Sequence, residues 1–189
     1  MQSFTANPAK WRAAIVFNSA GEYFDDNGSS RLISNQSDLD LLLELRRQSD
    51  VIVTTGKTAR NNDYSASKFA PIAFLTKNPA SISEISAVRN PGAFPNIILK
   101  STVPGLSWLP TEIERLGFRR PLFEGGPKTL TQLIETGVEI ELFVSLTWPT
   151  KSIDGQVADV VKILPDVEQF EILSVFETES LRALRLIRR

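Results

Sequence analysis

The sequence of 189 residues contains no cysteine and no histidine, and it has one methionine and two tyrosines. Without cysteine there is no disulfide, no thiolate nucleophile and no thiolate-bound metal. Without histidine, imidazole-based triads and the usual zinc sites are excluded, so no metal site is predicted. Proton transfer must use a carboxylate, lysine, tyrosine, water or the substrate. A redox reaction would require a cofactor, because no side chain here carries electrons.

Charge and hydropathy narrow the class of protein further. The net charge is −1 and the isoelectric point is about 5.6, so no basic surface for nucleic acid is indicated. No apolar run approaches the length of a membrane span, and no membrane partner is expected. With 42% hydrophobic residues, the chain can form one sizeable core, which predicts a single cytoplasmic domain over residues 1–189.

Strand-like and helix-like segments alternate along the chain. Short apolar runs predict strands at 12–17, 50–55, 71–76, 96–99, 121–124 and 140–147. Helical spacing predicts helices at about 37–48 and 128–136, and capping-box sequences at 81–84 and 111–114 predict two shorter ones. Alternating segments at 170–177 and 181–188 predict a hairpin. The pattern indicates an α/β fold whose mostly parallel sheet ends in a C-terminal antiparallel hairpin.

The segment 121–137 is the most informative about function. Its apolar start predicts a strand and its second half a helix, with Gly125 and Gly126 between them. Two glycines allow a sharp turn and let a ligand touch the backbone, and Pro127 suits the first turn of a helix. Free N–H groups and the helix dipole attract phosphate there, and Lys128 adds positive charge. The alternative is an ordinary strand-to-helix turn whose glycines serve geometry alone.

A second break between strand and helix comes at 55–58. It is not a P-loop, because Val51 occupies the position where that motif requires a glycine, and a G-x-G-x-x-G motif is absent as well. Each break nevertheless offers free N–H groups, a hydroxyl and a lysine. Parallel strands end at the same edge of a sheet, so both breaks should open into one cleft. A dinucleotide, with phosphates at separate points, is the natural ligand.

Several stretches, in this order, resemble the C-terminal reductase domain of the bifunctional riboflavin-biosynthesis deaminase–reductase, and more loosely dihydrofolate reductase. They are Ser30-Arg31-Leu32-Ile33-Ser34, Leu45-Arg46 ahead of Asp50-Val51-Ile52-Val53, Thr58, Phe123-Glu124-Gly125-Gly126-Pro127-Lys128-Thr129-Leu130, and Ile140-Glu141-Leu142. The likeness covers residues 11 to about 150. It implies the three-layer sandwich of dihydrofolate reductase.

The resemblance also implies a reaction and a set of site residues. It implies NADPH as the cofactor and, as the small-molecule substrate, a ribosylaminopyrimidine phosphate of riboflavin biosynthesis. Glu124 is the predicted catalytic residue, and the predicted substrate-binding residues are Ser30, Arg46 and Lys68. The predicted cofactor-binding residues are Thr55, Gly56, Lys57, Thr58, Gly125, Gly126, Pro127, Lys128, Thr129 and Leu130.

Three positions depart from the pattern of that family. Ala14 stands where the family usually has lysine, and Ala20 stands where it has aspartate. The arginine expected after the second break is absent, which leaves Lys68 as the nearby cation. Because alanine offers neither charge nor a side-chain hydrogen bond, these departures concern the substrate more than the cofactor.

Two other functional classes stay open. A folate-type reductase would need a buried carboxylate beneath the pterin, and Asp38 has that position in the first turn of the first helix. An aspartate there also favours the helix dipole without any catalytic role. The second class is a non-catalytic descendant that binds nucleotide, which Ala14 and Ala20 support.

A homodimer is the predicted assembly. The segment 181–188 carries leucine and isoleucine among its arginines and is too apolar for an exposed sheet edge. The resemblance implies a dimer as well.

Overall fold

Eight strands form one sheet in the part of the chain that the computed structural model describes, residues 1, 3–5, 11–26, 28–100 and 103–188. The strands are β1 (Trp11–Phe17), β2 (Val51–Thr55), β3 (Ile72–Leu75), β4 (Ile97–Leu99), β5 (Pro121–Phe123), β6 (Ile140–Thr147), β7 (Phe170–Glu177) and β8 (Leu181–Arg188). Their order across the sheet is β4-β3-β2-β5-β1-β6-β8-β7. Strands β1 to β6 pair in parallel, whereas β8 runs antiparallel to β6 and to β7.

The helices of the described residues connect these strands. They are α1 (Gln36–Arg47), α2 (Gly56–Asn61), α3 (Ser86–Arg89), α4 (Leu109–Arg115), α5 (Pro127–Glu135) and α6 (Ile153–Ile163). Helix α1 begins where the side chain of Asn35 accepts a hydrogen bond from the N–H of Asp38 at 3.0 Å. None of the described helices is long and apolar enough to cross a membrane.

The chain builds three layers around this sheet. Buried side chains of α4, α5 and α6 pack on one face, together with Val51 and Val53 of β2. On the other face, α1 contributes Leu41 and Leu45, and residues of α2 and α3 pack with Ile52. The alternation of β2 between the two faces follows from the two-residue period of a strand. The predicted three-layer α/β fold with a mostly parallel sheet and a C-terminal hairpin is confirmed.

Three helical segments differ from the sequence prediction. Helix α2 starts at the second break itself and has six residues, too few for a periodic pattern to show. Helix α6 was not predicted; the side chain of Ser152 caps it. The short helix predicted to start at 81–84 is a 3-10 turn at Pro79–Ile82 followed by α3. The turn begins earlier than predicted because the side chain of Asn78 caps it and Pro79 takes its first helical position.

Strand β8 is an inner strand, and the assumption that segment 181–188 forms the sheet edge was wrong. Its Leu184 and Leu186 are buried in the core on the face of the sheet that α4, α5 and α6 cover. Apolar alternation shows that a strand is buried but does not show which strand lies at the edge. The edge strand on this side of the sheet is β7, which exposes Ile172, Leu173 and Val175.

Buried Arg12 of β1 fixes the end of α1 against the sheet. Its Nη2 donates to the carbonyl oxygen of Leu45 at 3.1 Å and to Ser49 Oγ at 2.9 Å, and its Nη1 donates to Gln48 Oε1 at 2.9 Å. A buried guanidinium is costly without such partners. The contacts therefore define where the last turn of α1, which carries Arg46, lies on the sheet.

Candidate functional site

The carboxyl ends of β1, β2 and β5 and one side of α1 line a cavity of about 1050 Å³. Its volume lies just above the usual range for ligand pockets, roughly 300–1,000 Å³. Residues of both strand-to-helix breaks line it, so the prediction that they open into one cleft is confirmed. They meet because β5 lies between β2 and β1 and all three strands end at the same edge.

The two glycines before α5 have different roles. A Cβ at Gly125 would lie 2.4 Å from the ring of Phe123, whereas a Cβ at Gly126 would meet nothing within 4 Å. Gly125 is therefore required by packing, and Gly126 leaves open space above the turn. The N–H groups of Gly126 and Lys128 have no hydrogen-bond partner among the described residues. This turn can accept an anionic group on bare backbone.

The break before α2 is closed more tightly than the sequence indicated. Thr55 Oγ1 accepts a hydrogen bond from the N–H of Thr58 at 3.0 Å and donates to Thr58 Oγ1 at 2.9 Å. Gly56 is buried, and a Cβ there would lie 2.9 Å from Ile82. The side chain of Thr55 therefore already accepts a hydrogen bond from one of the N–H groups at the start of α2. Lys57 is exposed and supplies the positive charge of this break.

Most of the predicted cofactor-binding residues lie in the cavity wall. Those that line it are Thr55, Lys57, Thr58, Gly125, Gly126, Pro127, Lys128 and Thr129. Gly56 and Leu130 do not line it, because both are buried against the protein interior. Lys57 and Lys128 supply one positive charge at each break.

The structure pairs Arg46 with Glu124 in the cavity wall. Arg46 Nε donates to Glu124 Oε1 at 2.7 Å, and Arg46 Nη2 donates to Oε2 at 2.5 Å. This bidentate geometry is the strong form of an arginine–carboxylate contact. The exposed fractions of the two side chains are 17% and 3%. Arg46 is thus already neutralised, and clamping a substrate phosphate would require it to exchange Glu124 for the substrate.

Tyr64, in the loop after α2, completes this contact. Its hydroxyl donates to Glu124 Oε2 at 2.8 Å, and the Arg46 guanidinium carbon lies 5.3 Å from the centre of its ring. Burial and the negative charge of Glu124 raise the pKa of Tyr64, so it remains a hydrogen-bond donor. Burial opposes the charge on Arg46, but attraction to Glu124 and their hydrogen bonds outweigh it and raise the pKa of Arg46.

The other predicted substrate-binding residues are placed differently. Ser30 lines the cavity, but its Oγ lies 3.2 Å from Asn62 Oδ1 and donates to it. Lys68 is exposed and does not line the cavity. Of the two alanines that depart from the family pattern, Ala14 lines the cavity and Ala20 is exposed outside it.

Asp38 is a buried carboxyl group in the wall of the cavity. Ser34 Oγ donates to its Oδ2 at 2.5 Å. Burial raises the pKa of Asp38, and hydrogen bonds with Ser145 and Ser34 offset this only in part. A carboxylate that merely complemented the helix dipole would need no such burial. The structure therefore places Asp38 where a bound ring could contact it.

Sequence reasoning missed several residues of the cavity. Tyr23 and Phe24 line it from the loop after β1, with ring centres 4.4 Å apart in an edge-to-face contact. Arg31 and Tyr64 line it as well. Paired aromatic residues in a polar loop are a usable signal for Tyr23 and Phe24, whereas no local pattern identifies Tyr64.

Comparisons with known proteins give a match at the level of structure. No protein-family model matches the sequence, and no curated protein matches it either. A pyrimidine reductase-like protein from Corynebacterium diphtheriae NCTC superposes with a TM-score of 0.68 at 18% identity, covering 100% of this chain and 95% of that one.

Two further solved structures share the fold. A diaminohydroxyphosphoribosylaminopyrimidine deaminase/5-amino-6-(5-phosphoribosylamino)uracil reductase from Thermotoga maritima gives a TM-score of 0.69 at 13% identity, over 98% of this chain and 58% of that one. Dihydrofolate reductase from Enterococcus faecalis, complexed with NADP(H) and RAB-propyl, gives a TM-score of 0.61 at 13% identity, over 96% of this chain and 99% of that one. The chain has the dihydrofolate reductase-like fold, in agreement with the resemblance found in its sequence.

The open space at Gly126 generates a prediction about the cofactor. Gly126→Val should abolish NADPH binding without unfolding the protein, because its side chain would fill space that no protein atom occupies. Gly125→Ala is the matched control and should instead destabilise the fold by about 1–3 kcal/mol, through the clash with Phe123. NADPH should quench the fluorescence of Trp108 or Trp148 with low-micromolar or weaker affinity. Unchanged affinity in Gly126→Val would contradict the assignment.

The burial of Asp38 generates a prediction about pH. Its pKa is raised in the folded state, so the protein binds this proton more tightly when folded than when unfolded. The stability that this provides is present below the ordinary value of 3.8 and is lost as the pH rises towards the folded-state pKa. Asp38→Asn should therefore gain stability relative to the wild type as the pH rises, by about 1.4 kcal/mol for each unit of the pKa difference.

Urea unfolding at a series of pH values would measure this difference. Asp40→Asn, an exposed aspartate on the same helix, is the control and should follow the wild type. If the free energy of unfolding of Asp38→Asn and of the wild type changed with pH in parallel, Asp38 would ionise as freely as it does in water, and the prediction would be wrong.

Proposed function

We propose that the chain is an NADPH-dependent reductase. The observation that carries the proposal is the meeting of two strand-to-helix breaks in one cavity, with Lys57 at one and Lys128 at the other. The open space at Gly126 and the N–H groups of Gly126 and Lys128 fit a pyrophosphate group. Solved reductases of the same fold, one of them complexed with NADP(H), support the proposal. The preference for NADPH over NADH comes from the sequence resemblance.

The proposed substrate is a ribosylaminopyrimidine phosphate, as in the 5-amino-6-(5-phosphoribosylamino)uracil reductase step of riboflavin biosynthesis, or a close relative. The sequence resemblance supports it, as do one structural neighbour of that description and another described as a pyrimidine reductase-like protein. The cavity wall beside α1 is apolar where Leu42 and Phe143 line it, and Asp38 lies in the same wall. Such a surface suits a planar ring with polar edges.

When bound, the nicotinamide would supply the hydride, and the side chains of this protein would place the substrate and handle the proton. Asp38 is the proposed proton donor, because burial raises its pKa and Ser34 fixes its carboxyl group. Glu124 accepts three hydrogen bonds from Arg46 and Tyr64. Its catalytic role stays a prediction from sequence, and these bonds favour a role in holding the cavity wall.

Asp38 also favours a second candidate, a folate-type reductase. A buried carboxyl group beside an apolar wall can accept hydrogen bonds from adjacent N–H groups on one edge of a heteroaromatic ring. The fold likeness to dihydrofolate reductase is compatible with this candidate. The two candidates differ in the substrate and agree on the cofactor, so one assay separates them.

NADPH oxidation followed by its ultraviolet absorbance is that assay. We expect turnover with the riboflavin intermediate and, in Asp38→Asn, a loss of turnover of about a hundredfold or more with unchanged NADPH affinity. Dihydrofolate and a panel of small ketones are the comparison substrates. Turnover with dihydrofolate alone would move the assignment to the folate-type enzyme. NADPH binding without turnover of any substrate would leave a non-catalytic descendant of the fold.

We also propose a homodimer, which the resemblance implies, with the edge strand β7 as its contact surface. The eight residues of β7 expose Ile172, Leu173 and Val175. A second copy can present the same edge about a two-fold axis and pair with it strand to strand. Pairing of this kind protects an apolar edge that would otherwise invite aggregation.

Sedimentation analysis tests this assembly. The wild type should sediment as a dimer, and Val175→Lys should shift it to monomer because it adds a charge at an exposed apolar position of the proposed contact strand. Leu116→Lys, at an exposed apolar position outside β7, is the control for added charge and should leave the dimer intact. A wild-type protein that remains monomeric at high concentration would refute the dimer.

A further inference from the structure

The positively charged side chains that line the cavity differ in what they contact. The described lining contains four cationic side chains, Arg31, Arg46, Lys57 and Lys128. Lys57 and Lys128 belong to the two breaks assigned to the cofactor. Arg46 is held by both oxygens of Glu124. Arg31, exposed where the lining meets solvent, is the remaining cation on the wall formed by the loop after β1.

The loop that carries Arg31 is fixed to the end of α2. Asn62 Oδ1 accepts hydrogen bonds from Ser29 Oγ at 3.0 Å, from the N–H of Ser30 at 3.0 Å and from Ser30 Oγ at 3.2 Å. Asn61 Nδ2 donates to the carbonyl oxygen of Gly28 at 2.9 Å. These contacts between residues more than thirty positions apart set the direction of the loop before any ligand arrives. A binding residue held in this way loses less freedom when it binds.

Among the described residues, a hydrogen bond to a backbone oxygen positions Arg31, and no ion pair does so. Its Nη2 donates to the backbone carbonyl oxygen of Asp63 at 3.0 Å. The carboxylate of Asp63 contacts a different segment: it accepts hydrogen bonds from the N–H of Ser86 at 3.1 Å and from Ser86 Oγ at 3.0 Å. A guanidinium group has five N–H donors in a planar fork, which matches a phosphate or a carboxylate. The charge of Arg31 acts on the nearby carboxylate of Asp63, but no described carboxylate forms an ion pair with the guanidinium group, so most of its N–H donors remain for a ligand.

We propose that Arg31 binds the anionic end of the substrate, and that Arg46 keeps its bond to Glu124 when the substrate is bound. The inference rests on the proposed function, because it concerns the substrate half of the same cavity. Its anion is a phosphate if the substrate is the sugar-phosphate pyrimidine and a carboxylate if the substrate is of the folate type. Both sources share the chemistry that a guanidinium group recognises.

Equilibrium binding to the protein in saturating NADP⁺, which has no hydride to transfer to a probe, tests the proposal without any turnover. One pair of probes is uridine 5′-monophosphate and uridine, which differ by a phosphate. The other is dihydrofolate and its diamide, in which both glutamate carboxylates are converted to amides, so that the two differ in the carboxylate charges. In one of these pairs, the wild type should bind the anionic member roughly tenfold or more tightly than the neutral one. The variants are Arg31→Gln, Arg31→Lys and, as the control, Arg119→Gln, which removes an exposed charge outside the cavity.

Arg31→Gln should abolish the preference for the anionic probe and leave the affinity for the neutral probe unchanged. Arg31→Lys should retain part of the preference, and Arg119→Gln all of it. If Arg31 had only a structural role, Arg31→Gln would lower the affinity for both probes equally, and this result would overturn the proposal. So would an unchanged preference in Arg31→Gln, or the absence of any preference in the wild type. The NADPH titration that precedes the experiment reports on the proposed function separately, since failure to bind NADPH would contradict that function whatever Arg31 does.

Discussion

The bidentate ion pair between Arg46 and Glu124 is the contact on which the arrangement of the cavity depends. It joins the last turn of α1 to the end of β5, and through Tyr64 it also holds the loop after α2. The pair is largely removed from water, so its two charges depend on each other. Removal of one partner from such a buried pair typically costs about 3–5 kcal/mol, because the other charge is left without compensation.

This pairing also determines how charge is distributed in the cavity. With Arg46 paired to Glu124, the other positive charges of the described lining lie on three different segments, at Lys57 of α2, at Lys128 of α5 and at the exposed Arg31 of the loop after β1. Burial favours the uncharged form of Asp38 beside an apolar wall. One region therefore suits a ligand with phosphates at two points, and another suits a planar ring. That division is the physical basis for the proposal that the cavity takes a dinucleotide and a ring substrate together.

Much of the fold and part of the site could be predicted, because both depend on local patterns. The alternation of strands and helices and the turn at 125–127 are properties of neighbouring residues. The pairing of Arg46 with Glu124 joins residues 78 positions apart, so the spacing of neighbouring residues cannot predict it. The sequence therefore assigned both side chains to the substrate. The inner position of β8 was missed for the same reason, since strand order is decided by tertiary pairing.

A double-mutant cycle on Arg46 and Glu124 tests the central claim most directly, namely that these side chains are committed to each other in the absence of ligand. The free energy of unfolding would be measured for the wild type, Arg46→Met, Glu124→Gln and the double variant, with the exposed pair Glu112 and Arg115 as a reference. The account predicts a coupling free energy of about 2 kcal/mol or more for the buried pair, well above that of a surface pair. Additive effects, with no coupling between Arg46 and Glu124, would contradict it and return both side chains to the substrate.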